Sequence, residues 1–227
     1  MIAAVVFDMD GVLIESEETW SRVRGAVVAR HGGTWTEQDQ RNVMGDNSRQ
    51  WSEYIVRTWD VPLSPDDIFQ EVLATMIATY EREGLVALPG AREAVTALGA
   101  RYPLAVASSS PRALIEAALR ITGLAAHFAV TVSSDDVTHG KPAPDVYLLA
   151  AERLGVAATD CAAVEDSSNG IRSAAVAGMV TIAVPSGAYP PAADALAQAR
   201  LVLPSLRELT VEMVEELGRE SAQAPSS

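Results

Sequence analysis

The chain has 227 residues, a formal net charge of −13, 48% hydrophobic residues and 21% charged residues. An acidic chain without a basic stripe is a poor candidate for binding nucleic acid or an anionic membrane surface. Its apolar runs are too short to span a bilayer, and the N-terminus lacks the basic region of a signal peptide. A single cysteine, Cys161, excludes an internal disulfide, and we expect a cytoplasmic protein.

The first predicted element is a buried strand that ends in two aspartates. Residues 3–7 are Ala-Ala-Val-Val-Phe, a continuous apolar run typical of a strand buried on both faces of a parallel sheet. Asp8 and Asp10 follow, and in extended backbone two such residues point to the same side. Their carboxylates repel each other unless a divalent cation or a raised pKa relieves the repulsion. A plain strand-ending turn, with Asp10-Gly11 as the turn and Asp8 as a cap, is the alternative.

Residues 16–87 are predicted to be entirely helical. Helices are predicted over 16–31 with Ser16 as N-cap, from Thr36 to a break at 44–46, over 47–59 and over 65–83. At Leu88-Pro89-Gly90 the pattern changes to alternating helices and strands. The helical segment is therefore predicted to be an insertion into a core made of residues 1–15 and 88–218, and residues 219–227 to be a disordered tail.

After residue 88, apolar strands alternate with helices. Strands are predicted over 104–107, 129–132, 161–164, 180–184 and 201–203, and the last helix over 205–218. Pro111 is predicted to be the first residue of one helix, with Ser110 as its cap. The alternation predicts an α/β fold, a doubly wound and mainly parallel sheet with helices on both faces. Ligands of such sheets bind beyond the carboxyl ends of the strands.

Polar residues follow four of the predicted strands at that edge. Lys141 is the only lysine beside sixteen arginines, which indicates a specific need for an ammonium group. Taken singly, each position could be helix-cap chemistry or a solvated side chain, but together they fit phosphoryl transfer. The positions are Asp8 with Asp10, Ser108, Lys141, and Glu165 with Asp166.

Phosphoryl transfer would divide the work among these residues. Asp8 could attack phosphorus, and Asp10 could protonate the leaving alcohol and then deprotonate water. Mg²⁺ prefers hard oxygen ligands. Its ligands would be Asp8, Glu165, Asp166 and the main-chain carbonyl of Asp10. The phosphate would be held by Ser108, Ser109, the following helix N-terminus and Lys141.

Four segments resemble the haloacid dehalogenase superfamily of phosphohydrolases, in the branch with a helical cap inserted after the first strand. They are Phe-Asp-Met-Asp-Gly-Val-Leu (7–13), Ala-Ser-Ser-Ser (107–110), Gly-Lys-Pro-Ala-Pro-Asp (140–145) and Val-Glu-Asp-Ser-Ser-Asn-Gly-Ile (164–171). The resemblance implies that Asp8 is the nucleophile and Asp10 the acid/base. It also implies that Ser108 and Lys141 bind phosphate and that Glu165 and Asp166 bind Mg²⁺. Glu15 stands where the family most often has Asp, outside the reacting set.

The resemblance also narrows the reaction. The dehalogenases lack the second aspartate, and the phosphonate-cleaving members use a cap lysine, which residues 16–87 do not contain. We expect Mg²⁺-dependent hydrolysis of a small phosphorylated metabolite, such as a sugar phosphate, through an aspartyl phosphate on Asp8. The alternative is a β-phosphoglucomutase-like mutase, whose members have a histidine where this chain has Trp20. A remote alternative is a catalytically inactive binding protein of the same fold.

Four residues are predicted to determine substrate specificity: Trp20, Gly45, Arg49 and Ser110. Core or hinge packing is the alternative for Trp20, and a solvated helix arginine is the alternative for Arg49. A monomer or weak homo-oligomer is expected.

Overall fold

The computed structural model describes residues 1–43, 47–185 and 190–223, with side chains described as far as residue 220. Its centre is a six-stranded parallel sheet in the order β3-β2-β1-β4-β5-β6. The strands are β1 (Ala4–Phe7), β2 (Leu104–Ser108), β3 (Val130–Ser133), β4 (Cys161–Glu165), β5 (Val180–Ala183) and β6 (Leu201–Val202). The predicted parallel sheet is confirmed, and β1 lies in its middle between β2 and β4.

Helices cover both faces of the sheet, so the central strands are apolar except for the residues that end β2 and β4, Ser108 and Glu165. Every residue of β1, β2 and β4 is buried, which explains why their sequences are continuous apolar runs and do not alternate. Val5 and Phe7 of β1 face the larger core cluster, whereas Val6 faces a smaller one. Cys161 is buried, and this burial raises the pKa of its thiol to about 11. Such a thiol is unreactive at neutral pH.

The helical insertion between β1 and the rest of the sheet is confirmed. It contains α1 (Glu17–Arg30), α2 (Glu37–Asn42), α3 (Ser48–Trp59) and α4 (Pro65–Glu83). Capping boxes at Thr36, Asn47 and Ser64 begin α2, α3 and α4, and they satisfy main-chain N–H groups that helix starts leave without partners. Trp51 and Ile55 of α3 are buried in the insertion's core, as expected from their helical spacing.

The remaining helices follow the insertion. They are α5 (Ala91–Gly99), α6 (Arg112–Thr122), α7 (Asp145–Leu154), α8 (Ser168–Val176), α9 (Ala193–Leu196) and α10 (Val211–Gln223). The prediction that Pro111 begins its helix and Ser110 caps it is wrong, because Pro111 itself is the N-cap of α6. None of the helices in the described part of the chain has the length and apolar character that crossing a membrane requires.

The end of the chain also differs from the prediction. Residues 206–208 form a separate 3₁₀ turn, and α10 continues through residues 219–223, so these residues are helical and not part of a disordered tail. The remainder of the predicted tail, 224–227, lies outside the described residues. Gly218 lies inside α10 and does not end it. The absence of a side chain at this position allows close packing against the N-terminal residues. A Cβ there would lie 2.7 Å from the main-chain nitrogen of Ile2.

The two segments that connect the insertion to the core run side by side. The N–H of Leu88 donates to the carbonyl of Leu13 at 2.8 Å, and Ile14 forms an antiparallel bridge with Ala87. The start of the insertion is therefore tied directly to its end. Both segments lie next to the carboxyl end of β1.

Gly218→Ala tests the close contact in α10. Alanine normally stabilises a helix by about 0.5–1 kcal/mol relative to glycine, whereas overpacking costs about 1–3 kcal/mol. We expect a net loss of about 1–2 kcal/mol in the free energy of unfolding, measured by urea denaturation. Gly99→Ala in α5 is the control, because its Cβ would meet Leu104 at an ordinary 3.4 Å. Equal effects of the two substitutions would contradict the packing role of Gly218.

Candidate active site

The carboxyl end of β1 places Asp8 at the centre of the sheet edge. The N–H of Asp8 donates to the Val164 carbonyl of β4 at 2.9 Å, and the residue is 6% exposed. The Lys141 ammonium lies 2.6 Å from Asp8 Oδ1 and 2.6 Å from Glu165 Oε1. It also donates to the Ala107 carbonyl of β2 at 3.0 Å. The chain's only lysine thus joins two buried carboxylates and a strand carbonyl.

One positive charge faces two buried carboxylates in this cluster. Burial raises the pKa of Asp8 to about 8, although the charge of Lys141 opposes the increase. Burial alone would lower the pKa of Lys141, but the charges of Asp8 and Glu165 outweigh it and raise that pKa. The lysine therefore stays protonated. A further cation bound beside Asp8 would favour the ionised form of its carboxyl and so oppose the effect of burial.

Glu165 is held by donors on both carboxylate oxygens. Its Oε1 accepts hydrogen bonds from Lys141 and from the Tyr147 hydroxyl at 2.8 Å. Its Oε2 accepts from the N–H groups of Asp166 and Ser167 at 3.0 and 3.1 Å, and from the Ser167 hydroxyl at 3.1 Å. Tyr147 and Ser167 were not among the predicted site residues. The available signal was that a buried tyrosine hydroxyl needs a partner.

Asp8, Glu165 and Asp166 form a compact group of carboxylates. One oxygen of each lies within 4.8 Å of the others. Two glycines make room for this group, because a Cβ on Gly11 would overlap the Asp166 carboxylate and one on Gly170 would overlap that of Glu165. Gly11 also has φ +82°, which favours glycine. The oxygen donors, the negative charge and the space fit a hard divalent cation such as Mg²⁺.

Asp10 lies two residues beyond Asp8 but contacts a different set of groups. Its Oδ1 accepts from the Ser16 hydroxyl at 2.5 Å. Its Oδ2 accepts from Ser110 at 2.8 Å and from Ser108 at 3.3 Å. The two aspartates therefore have different environments, an ammonium for Asp8 and three hydroxyls for Asp10. The main-chain carbonyl of Asp10 as a metal ligand stays a prediction.

Two of these serines do something other than predicted. Ser16 occupies the N-cap position of α1, but its side chain makes no cap hydrogen bond and donates to Asp10 instead. Ser110, predicted as a helix cap and as a specificity residue, likewise donates to Asp10. Ser108 is fully buried and Ser109 is half-buried at the end of β2. Their phosphate-binding role, like that of Lys141, stays a prediction.

Two of the specificity residues predicted in the insertion, Trp20 and Arg49, are not part of this cluster. Trp20 is buried, with its ring centroid 6.1 Å from that of Trp51, which agrees with packing. Arg49 has an 85% exposed side chain, and its Nε lies 2.8 Å from Glu53 Oε1. This is the solvated ion pair of a helix surface. Gly45 lies outside the described residues.

Comparison with known proteins yields relatives over most of the chain. The family model for haloacid dehalogenase-like hydrolases matches residues 2–178. Fructose-1-phosphate phosphatase YqaB of Escherichia coli K12 is 32% identical over 186 residues, which cover 80% of this chain and 96% of that protein. Hexitol phosphatase B of the same organism is 36% identical over 193 residues, which cover 82% and 84%.

Solved structures show the same fold. The crystal structure of CbbY from Rhodobacter sphaeroides in complex with phosphate has a TM-score of 0.84 at 29% identity, and the match covers 95% of this chain and all of that one. A mutant of the same protein has been solved with xylulose-1,5-bisphosphate and has a TM-score of 0.82 at 30% identity, covering 92% and 96%. The chain is thus a hydrolase whose relatives are named phosphatases, and it belongs to the haloacid dehalogenase-like hydrolase family.

Proposed function

We propose that the chain is a Mg²⁺-dependent phosphatase that hydrolyses a small phosphorylated sugar or sugar alcohol through an aspartyl phosphate on Asp8. The observation that carries this proposal is the difference between the two aspartates: Lys141 contacts Asp8, and three serine hydroxyls contact Asp10. A nucleophile and an acid/base need such different surroundings. The relatives named for phosphorylated carbohydrates support the substrate class.

In the first step, a carboxylate oxygen of Asp8 forms a bond to phosphorus, and the bond from phosphorus to the alcohol oxygen breaks. Asp10 gives its proton to that oxygen, so the alcohol leaves neutral. Lys141 already contacts Asp8 Oδ1, which leaves Oδ2 for the attack. The ammonium charge also stabilises negative charge that accumulates on the phosphoryl oxygens.

In the second step, Asp10 takes a proton from water while the water oxygen forms a bond to phosphorus. The bond from phosphorus to Asp8 breaks, and inorganic phosphate leaves. Ser16 and Ser110 hold the Asp10 carboxylate in place through both transfers. Ser108, Ser109 and the N-terminus of α6 would bind phosphate oxygens.

Mg²⁺ would be held by Asp8, Glu165 and Asp166, with the Asp10 carbonyl as a further predicted ligand. When bound, it supplies positive charge against the phosphate oxygens. The insertion, residues 16–87, would act as a cap over the core formed by residues 1–15 and 88–218. A cap over the strand ends admits only a small substrate.

Asp8→Asn tests the nucleophile. We expect Mg²⁺-dependent phosphate release to fall at least about a thousandfold, because an amide oxygen is a poor nucleophile. The assay would use p-nitrophenyl phosphate and a panel of sugar and hexitol phosphates, with folding checked by circular dichroism. Asp194→Asn is the matched control, since Asp194 is exposed and pairs with Arg172. If the unmodified protein releases no phosphate from any compound, the result would favour the alternative of a catalytically inactive binding protein.

Mg²⁺ should stabilise the folded chain through the three carboxylates. At a hundredfold excess over the dissociation constant we expect the melting temperature to rise by about 5–10 °C relative to EDTA. Asp166→Asn should reduce this rise by at least about half because a ligand charge is lost, whereas Asp194→Asn should leave it unchanged. The same rise in both variants would place the metal elsewhere.

Hydrolysis and phosphosugar transfer differ in the acceptor of the phosphoryl group. The mutase-like members have a histidine at the position of Trp20. In this chain the Trp20 side chain is packed against Trp51. We therefore expect β-glucose 1-phosphate, supplied with glucose 1,6-bisphosphate, to yield inorganic phosphate. Accumulation of glucose 6-phosphate, measured with a coupled dehydrogenase, would instead establish a mutase.

A further inference from the structure

A chain of polar side chains runs from the helical insertion to the neighbourhood of Asp10. Glu17 is the first residue of α1 and follows Ser16, whose hydroxyl contacts Asp10. Gln40 of α2 donates from Nε2 to Glu17 Oε2 at 3.1 Å, and its Oε1 accepts from Arg24 at 3.3 Å. Gln40 is 2% exposed and Arg24 is 6% exposed. Burying such polar groups is costly, so their arrangement needs a reason.

The chain of hydrogen bonds can run in one direction only. Arg24 is a donor without acceptor atoms, so Gln40 must turn its carbonyl oxygen toward Arg24 and its amide NH₂ toward Glu17. The guanidinium of Arg24 itself lies over two rings, 4.5 Å from the centroid of Trp20 and 5.2 Å from that of Trp51. The result is a fixed N–H donor that holds the Glu17 carboxylate.

A helix terminus alone does not account for Glu17. Acidic side chains are favoured in the first turn because of the helix dipole, and both Glu17 and Glu18 occupy that turn. Glu18 is exposed, whereas Glu17 is half-buried and bonded to Gln40. Burial, and then the charge of Asp10, raise the pKa of Glu17, while Arg24 lowers it. Glu17 therefore directly follows a residue that contacts Asp10, and Gln40 fixes its carboxylate.

We propose that Glu17 accepts a hydrogen bond from a hydroxyl group of the substrate's leaving alcohol, and that Gln40 and Arg24 position it. The inference rests on the proposed function, in which Asp10 protonates the leaving oxygen, so a side chain close to Asp10 also lies close to the carbon chain of that alcohol. A carboxylate accepts from hydroxyl groups and repels a second anionic group. The substrates would be phosphorylated polyols and sugars, and phosphorylated carboxylic acids would be rejected.

Two phosphomonoesters with the same three-carbon skeleton isolate this contact. Glycerol 3-phosphate carries two hydroxyl groups and n-propyl phosphate carries none. We expect the unmodified enzyme to have a kcat/KM at least about tenfold higher for glycerol 3-phosphate than for n-propyl phosphate. The reason is that n-propyl phosphate would leave the Glu17 carboxylate without a hydroxyl group to accept from. Glu17→Gln should remove most of this preference, and Gln40→Met should reduce it mainly through KM. Glu18→Gln, the exposed neighbour, should leave the preference unchanged.

The possible outcomes separate this inference from the proposed function. Equal kcat/KM for the two esters, or an unchanged preference in both Glu17→Gln and Gln40→Met, would overturn the inference but not the phosphatase. The same holds if p-nitrophenyl phosphate is hydrolysed and glycerol 3-phosphate is not. Phosphate release from none of the three compounds would reject the proposed function itself. Circular dichroism of each variant, with Gln40→Met as a second substitution, keeps a folding defect from imitating a lost contact.

Discussion

The buried ammonium group of Lys141 is the interaction on which the site depends. It contacts Asp8 after β1, the Ala107 carbonyl of β2 and Glu165 of β4, so one charge joins the ends of three neighbouring strands. An ammonium removed from water costs several kcal/mol unless its partners are well placed, which ties these strand ends to one another. A compact ammonium can contact three oxygens from different strands, whereas the planar fork of an arginine suits one carboxylate. This explains why a chain with sixteen arginines uses its single lysine here.

Asp10 extends the same dependence to the insertion. Its three donors come from two places: Ser16 lies at the start of the insertion, whereas Ser108 ends β2 and Ser110 follows it. The insertion is in turn closed at its base, where Leu13 and Leu88 are hydrogen-bonded. The orientation of the proposed acid/base is therefore set jointly by the core and by the first residues of α1. A shift of α1 would change the donors of Asp10 while leaving those of Asp8 in place.

Most of the fold could be predicted because its signals are local. Apolar runs marked all six strands, and Thr36 marked a helix start through contacts within four residues. The sequence also placed Asp8, Lys141 and Glu165 together, since the carboxyl ends of parallel strands meet at one edge. It failed where a residue has two good local roles. A serine before a helix can cap it or turn away, and only the tertiary contact with Asp10 decides for Ser16 and Ser110. The contact of Gly218 with Ile2 joins opposite ends of the chain, which no local pattern contains.

The two aspartates differ in whether their hydrogen-bond partners can adapt when the carboxyl group gains or loses a proton. An ammonium only donates, so the contact of Lys141 with Asp8 requires that Asp8 offer a lone pair, as a nucleophile must. A serine hydroxyl both donates and accepts, so Ser16, Ser108 and Ser110 can rotate their protons and keep contact with Asp10 whether it is ionised or protonated. A group that gives a proton to the alcohol and takes one from water has to pass through both states. The chemistry of the donors, more than the spacing of the two carboxylates, therefore supports the proposal that Asp8 attacks and Asp10 transfers protons.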